Sequence, residues 1–240
     1  MIKVFAIYPQ DKSTSLKFLN RINTFEMTEL VDEWHCYKIH FSDDDHQRCI
    51  KESQPYPFIM YMGHGGETKL CGSCARNGEM SVAVEACDEN QDFYSKDVFI
   101  DVSNIDSFKD KVFFCFSCNS NRNTRKSLGR NAILKGVKAF VGFGDIPTDY
   151  VESVPFSKRC IAVYKGLIIK IIKHSIALAI KEDTTVDGLV KIITILTTKE
   201  IQKLMMSKDD IRHKERIVSQ LYLFKKDITI FGDRYAKLVS

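Results

Sequence analysis

The stretch that decides the fold is VFFCFSCNS, at residues 112–120. Its first five residues are all apolar, which is typical of a strand that is buried on both faces of a parallel sheet. Other short apolar or alternating runs are separated by amphipathic stretches, and these runs lie at 3–8, 34–41, 57–62, 137–143 and 228–231. This alternation predicts an α/β fold in which a mostly parallel sheet has helices on both faces.

The amphipathic stretches predict helices at 13–22, 43–53, 125–135, 156–182, 186–206 and 211–224. Between 66 and 110 the chain is polar and rich in Gly, Asn and Asp, and we expect it to be irregular except for one strand near 98–102. A length of 240 residues, of which 44% are hydrophobic, is sufficient for a well-buried core. We predict a single domain over 1–240, in which 1–150 forms the sheet core and 151–240 forms the helical part and the closing strand.

Charge and apolar segments restrict the partners that the protein can have. Lys and Arg exceed Asp and Glu by 35 to 31, and a net charge of only +4 does not indicate a nucleic-acid partner. The longest apolar segment, 166–180, is interrupted by Lys170, Lys173 and His174, so no membrane partner is predicted. The first residues, MIKVFAIYPQDK, contain no small-residue cleavage site and do not resemble a signal peptide. We therefore expect a cytoplasmic protein whose eight cysteines stay reduced.

Small or polar residues follow three of the predicted strands. His64, flanked by glycines, follows the first of them, Cys118 follows the second, and Asp145 follows the third. Because ligands and reacting groups gather at the carboxyl ends of parallel strands, these side chains are expected along one crevice. A cysteine becomes a nucleophile when a base lies within hydrogen-bond reach. His64 precedes Cys118 by 54 positions, close to the caspase-type spacing of roughly 50.

Four motifs, in order, resemble the caspase-like cysteine peptidases and are most similar to their prokaryotic CHAT branch. The first two are MGHG at 62–65 and FCFSCNS at 114–120, each at the end of an apolar strand. GRNAILKGVKAFVG at 129–142 resembles the helix and strand that follow the nucleophile, and ITIFGD at 228–233 resembles the closing strand of this group and of gingipains. The resemblance covers roughly residues 55–145 and the last 15 positions.

The resemblance implies a cysteine endopeptidase that needs no metal or organic cofactor. Cys118 would attack the scissile carbonyl, His64 would relay the proton, and the N–H groups of Gly65 and Cys118 would form the oxyanion hole. Cys115 lies inside the strand and is expected to be packed. The resemblance also implies a protein substrate, such as a gasdermin-like effector in bacterial immunity or cell death, and activation by a sensor protein. Residues 66–110 are then expected to border the crevice and to become ordered when that partner binds.

The resemblance also locates a first specificity pocket, which would be lined by Gln10 and Asp11, by Phe116, and by Gly144 and Asp145. Two of these three places carry an acid, so we expect cleavage after Arg or Lys. The other interpretation is structural: Asp11 caps the following helix, and Asp145 belongs to a Gly-Asp-Ile-Pro turn.

A different hypothesis uses four cysteines, Cys71, Cys74, Cys115 and Cys118, as two C-x-x-C pairs. Such pairs are typical ligands of tetrahedral zinc and would define a non-catalytic binding or signalling module. The pairs are far apart, and the second one begins inside an apolar strand. A zinc ion at this site would have Cys118 as a ligand, and Cys118 could then not act as a nucleophile. The metal site and the peptidase therefore exclude each other. A degenerate peptidase that acts as a scaffold is a third interpretation.

Overall fold

The computed structural model describes residues 2–9, 17–40, 42–76, 84–85, 94–147, 157–207 and 214–238. Its strands are β1 (Lys3–Pro9), β2 (Glu33–Ile39), β3 (Phe58–Met62), β4 (Lys69–Arg76), β5 (Val84–Glu85), β6 (Tyr94–Asp101), β7 (Val112–Phe116), β8 (Ala139–Gly142) and β9 (Thr229–Gly232). Its α-helices are α1 (Phe25–Thr28), α2 (Asp43–Glu52), α3 (Leu128–Leu134), α4 (Lys158–Lys181), α5 (Val186–Met206) and α6 (Lys214–Lys226), and two short 3-10 helices lie at Lys17–Ile22 and Ile105–Phe108.

Six strands form the main sheet, in the order β2-β1-β3-β7-β8-β9. All neighbouring pairs are parallel except β8 and β9, which are antiparallel. In the two central strands, β3 and β7, all five residues are buried, as expected for strands that are covered on both faces. The predicted α/β fold with a mostly parallel sheet is confirmed.

Side chains alternate along the central strands and pack into two cores. On one face, β3 and β7 pack with α4, α5 and α6 and with the 3-10 helix Lys17–Ile22. On the other face, the intervening residues pack against α2, α3, the 3-10 helix Ile105–Phe108 and part of β6. Helices therefore cover both faces of the sheet, as predicted.

Side-chain caps fix the starts of three helices near their predicted positions. Ser42, Ser157 and Thr185 precede α2, α4 and α5, and each side-chain oxygen accepts a hydrogen bond from the backbone N–H three residues later. Such a cap satisfies one of the N–H groups that a helix leaves unpaired at its first turn. Among the described residues, no helix combines the length and apolarity that are needed to cross a bilayer.

The strand predicted near 98–102 is confirmed as part of β6, but the expectation that the rest of 66–110 is irregular is wrong. β4, β6 and β5 form a second, antiparallel sheet in that order, and a 3-10 helix follows at Ile105–Phe108. These strands lack the continuous apolar runs of β3 and β7, so hydrophobicity does not reveal them. Two predicted helices are also shorter: α3 begins at Leu128 instead of 125, and 17–22 is a 3-10 helix, while 13–16 lies outside the described residues.

Candidate active site

The loops that carry His64 and Cys118 leave the main sheet side by side. β3 and β7 are parallel neighbours, and Met62 at the end of β3 lies opposite Phe116 at the end of β7. The pairing extends one residue further, because the N–H of Gly63 donates to the carbonyl of Phe116 at 3.3 Å. His64 and Cys118 each follow the last paired residue by two positions. The register of the sheet therefore brings the two loops together.

The two loops are in direct contact at Gly65. A Cβ atom at this position would overlap with the Ser117 hydroxyl and would lie 2.9 Å from Leu70 Cδ2, so only glycine fits. The next residue is different: no atom lies within 4 Å of a Cβ placed on Gly66. The crevice is therefore closed beneath Gly65 and open at Gly66.

Backbone hydrogen bonds hold the His64 loop in place. The carbonyl of His64 accepts the N–H of Cys71 at 2.9 Å, and the buried Tyr61 hydroxyl lies 2.5 Å from the carbonyl oxygens of both His64 and Cys71. Gly65 lies opposite Leu70 in an isolated antiparallel bridge. The hydrogen bonds around this bridge involve the carbonyl of His64 and the N–H of Gly66, so the N–H of Gly65 takes no part in the pairing.

A tight turn presents Cys118 after β7. Asn119 adopts the left-handed conformation, with φ of 54°. The Ser120 hydroxyl donates to the carbonyl of Ser117 at 2.8 Å and accepts the N–H of Phe143 at 2.9 Å, which fastens the turn to the chain that follows β8. Cys118 is half-buried, and its thiol donates to the carbonyl of Ile146 at 3.5 Å. The cysteine is thus held on a rigid turn at the carboxyl edge.

Cys115 and Cys118 differ in burial and in the face they occupy. Cys115 is fully buried in the core that contains α3, and burial raises the pKa of its thiol well above the ordinary range. Cys118 is partly buried and packs against the core on the opposite face. Because its deprotonation is so disfavoured, the Cys115 thiol is a poor nucleophile. The expectation that Cys115 is packed in the strand is confirmed.

Asp145 lies next to the Cys118 loop, as the order of the strands predicts. It immediately precedes Ile146, whose carbonyl accepts the Cys118 thiol, and its side chain is exposed. Of the other predicted pocket residues, Phe116 is 2% exposed and packs against Phe143 with ring centroids 5.2 Å apart. Gln10 and Asp11 lie outside the described residues.

Tyr164 of α4 lies behind this corner of the site and was missed by the sequence analysis. It is 1% exposed. It belongs to the core against which Cys118 packs. Burial raises the pKa of its hydroxyl, and charges on Cys118 and Asp145 act in the same direction. The only sequence signal was its place on the apolar stripe of a long helix, where a tyrosine is ordinarily a core residue.

The described residues do not assemble a metal centre. Among them, no group of three or more His, Cys, Asp or Glu side chains is arranged to hold an ion. Cys115 and Cys118 belong to cores on opposite faces of the sheet, which is an unfavourable arrangement for two ligands of one zinc ion. The side chain of Cys74 lies outside the described residues, so the four-cysteine site stays a prediction.

These contacts define a class of site: a cysteine-bearing loop at the end of a central parallel strand, in contact at Ser117 with the histidine-bearing loop of the neighbouring strand. Comparison of the sequence with protein-family models and with curated proteins finds no match. Function is therefore inferred from the residues of the site.

Proposed function

We propose that the protein is a caspase-like cysteine endopeptidase in which Cys118 is the nucleophile and His64 is the general acid and base. One observation carries the proposal: β3 and β7 pair in register, so that the loops bearing these two residues leave the same edge of the sheet and touch at Gly65 and Ser117. A nucleophile and its base need this proximity and a rigid support. The motifs MGHG and FCFSCNS add the resemblance to the caspase-like group.

The proposed reaction passes through an acyl-enzyme. His64 accepts the proton of the Cys118 thiol, and the thiolate attacks the scissile carbonyl. The oxyanion that forms accepts hydrogen bonds from the N–H groups of Gly65 and Cys118, and each such donor contributes about 10²–10³ in rate in other enzymes. His64 then protonates the leaving amine as the C–N bond breaks. Water, deprotonated by His64, hydrolyses the thioester and regenerates the thiol.

Asp145 is proposed to select the residue before the cut. Its carboxylate is exposed one residue from the carbonyl that accepts the Cys118 thiol, so a bound substrate passes close to it. A carboxylate favours an Arg or Lys side chain through charge-assisted hydrogen bonds worth about 1.5–3 kcal/mol. The proposed role in bacterial immunity or cell death, with a sensor partner and a gasdermin-like substrate, rests on the family resemblance alone.

The test is covalent labelling with electrophilic peptide probes that carry Arg, Asp or Ala before the reactive group. We expect the Arg probe to modify Cys118, identified by mass spectrometry, and we expect Cys118→Ala and His64→Ala to abolish labelling and peptide hydrolysis while the protein stays folded. Cys115→Ala is the matched control and should retain most activity. Asp145→Asn should lower kcat/KM for the Arg substrate about tenfold, as a loss of about 1.4 kcal/mol implies.

Three results would contradict the proposal. Full hydrolytic activity of Cys118→Ala would show that Cys118 is not the nucleophile. Labelling of Cys115 by the probe would show that Cys115 is the nucleophile instead. If the purified protein contains one zinc ion per chain and Cys74→Ala loses it, the zinc-stabilised module is favoured over the peptidase. A preference for Asp or a small apolar residue before the cut would refute only the role of Asp145.

A further inference from the structure

A basic groove lies between α4 and α5, in the helical layer on one face of the main sheet. The connection at 182–185 turns the chain back, so that α5 runs antiparallel along α4. Between the two helices is a cavity of about 230 Å³. Its polar lining consists of Lys170, His174, Lys199, Glu200 and Lys203, and the apolar lining consists of Ile171 and Leu196. We call these seven residues the α4/α5 groove.

The groove keeps a positive charge although it contains one carboxylate. Glu200 is 9% exposed and accepts hydrogen bonds from Lys170 Nζ at 2.9 Å and Lys203 Nζ at 3.3 Å. Burial alone would raise the pKa of Glu200, but these two ammonium groups outweigh it and lower the pKa, so the carboxylate is ionised at neutral pH. The side chain of Lys199 is exposed and forms no ion pair with any described residue. Three lysines against one glutamate leave an excess of two positive charges.

Exposed apolar side chains continue the groove at both ends. Leu178 lies four residues after His174 and is 41% exposed, and Ile195 lies four residues before Lys199 and is 65% exposed. At the other end, Met206 is 83% exposed and lies three residues after Lys203. Residues three or four apart share one face of a helix, so these side chains extend the two walls of the groove. Large apolar side chains beside unpaired charges are typical of a surface that binds protein.

We propose that the α4/α5 groove docks an acidic segment of a protein partner in which carboxylates alternate with apolar side chains. The partner's carboxylates would bind Lys199 and the free donors of Lys203, since an ammonium group has three N–H donors and Glu200 uses only part of them. Its apolar side chains would cover Leu196 and extend onto Leu178 and Ile195. The proposal does not depend on the peptidase activity.

The same features favour a protein over a nucleic acid. A phosphate backbone is neutralised by rows of Lys and Arg and offers nothing to apolar side chains along its path. The buried carboxylate of Glu200 would repel phosphates at the centre of the groove. Acidic peptides with interspersed leucines match both the charge and the apolar walls.

The test uses the full chain and a fluorescein-labelled peptide of twelve residues that alternates Glu and Leu, with binding measured by fluorescence polarisation. Two competitors have the same length: a peptide in which Ser replaces each Leu, and a single-stranded oligonucleotide. We expect the Glu/Leu peptide to bind at least tenfold more tightly than either competitor. Lys199→Glu should weaken its binding at least tenfold, and Lys51→Glu, on the exposed surface of α2, should change it less than twofold.

Each alternative outcome overturns the proposal. No measurable binding of the Glu/Leu peptide, or equal losses in Lys199→Glu and Lys51→Glu, would show that the groove is not a docking site. Tighter binding of the oligonucleotide, lost in Lys199→Glu, would assign the groove to nucleic acid. Thermal unfolding of both variants verifies that they are folded, and labelling of Cys118 by an electrophilic probe reports on the proposed active site independently of the groove.

Discussion

Among the connections at the carboxyl edge of the main sheet, those after β2 and after β7 differ in how their polar groups are hydrogen-bonded. After β2 the chain enters α2 within three residues, and the buried Asp45 accepts hydrogen bonds from the Tyr37 hydroxyl at 2.8 Å, the N–H of His40 at 2.7 Å and the Arg48 guanidinium. After β7, eleven residues precede α3. There the Ser117 hydroxyl is buried without a hydrogen-bond partner among the described residues.

This difference in hydrogen bonding indicates that the β2–α2 connection stabilises the fold, whereas the turn after β7 holds the Cys118 side chain at the edge of the sheet. Buried polar groups are ordinarily paired, because an unpaired one loses its bonds to water without replacement. The β2–α2 connection obeys this rule and contributes stability. The turn after β7 departs from it beside Cys118, where the Ser117 hydroxyl has no hydrogen-bond partner among the described residues. Such departures concentrate at functional sites.

The largest expected effect comes from separating the two loops at their contact. Gly65→Ala places a methyl group in the space of the Ser117 hydroxyl and 3.0 Å from the carbonyl oxygen of Lys69, and we expect the His64 loop to move away from Cys118. Misplacement of about 1 Å costs about 100-fold in rate, so kcat/KM for a peptide substrate should fall by that factor. Gly66→Ala, which meets no atom within 4 Å, is the control and should stay within twofold of the native rate. Equal rates for the two variants would show that the contact has no role.

A smaller effect, on stability alone, is expected after β2. Asp45→Ala leaves the Tyr37 hydroxyl and the His40 N–H without their acceptor, and the free energy of unfolding should fall by about 2 kcal/mol. Burial alone would raise the pKa of Asp45, but the hydrogen bonds from His40, Arg48 and Tyr37 lower it below its ordinary 3.8. The stability that this ionised carboxylate contributes is therefore complete above about pH 5 and is lost as the pH falls through the lowered pKa.

Urea denaturation at pH 7 and at pH 3 measures this contribution. The difference between the native protein and Asp45→Ala should be smaller at pH 3, and labelling of Cys118 by an electrophilic probe should be unchanged at pH 7. If Asp45→Ala is as stable as the native protein at pH 7, the hydrogen bonds of Asp45 do not stabilise the β2–α2 connection.

The smallest effect is expected from two serines of the same turn. Ser117→Ala removes a hydroxyl that has no hydrogen-bond partner in the part of the chain that the structure describes, so the free energy of unfolding should stay within about 1 kcal/mol of the native value or increase. Ser120→Ala removes the hydroxyl that bonds to the Ser117 carbonyl and the Phe143 N–H, and it should cost about 1–2 kcal/mol. Chemical denaturation of both variants gives the comparison. A larger loss for Ser117→Ala would show that its hydroxyl is bonded in solution.

Sequence patterns predicted the main sheet because its strands are unbroken apolar runs and its long helices keep an apolar stripe. They also placed His64, Cys118 and Asp145 after strands that turn out to be neighbours, since parallel strands end at a common edge. The antiparallel sheet β4-β6-β5 was missed because polar strands carry no comparable signal. The contact of Gly65 with Ser117, and Tyr164 behind the site, depend on strand register and helix rotation, which a single sequence does not encode locally.

The pairing of β3 with β7 also decides when the site can exist. His64 and Cys118 are 54 positions apart, and closing a loop of that length costs about 3.5 kcal/mol of chain entropy. A polypeptide that is still being synthesised has its histidine loop long before β7 can dock against β3. In the proposed enzyme, the capacity to cut protein would thus arise late in folding, once the centre of the sheet is complete, and a partly folded chain would be harmless to its neighbours.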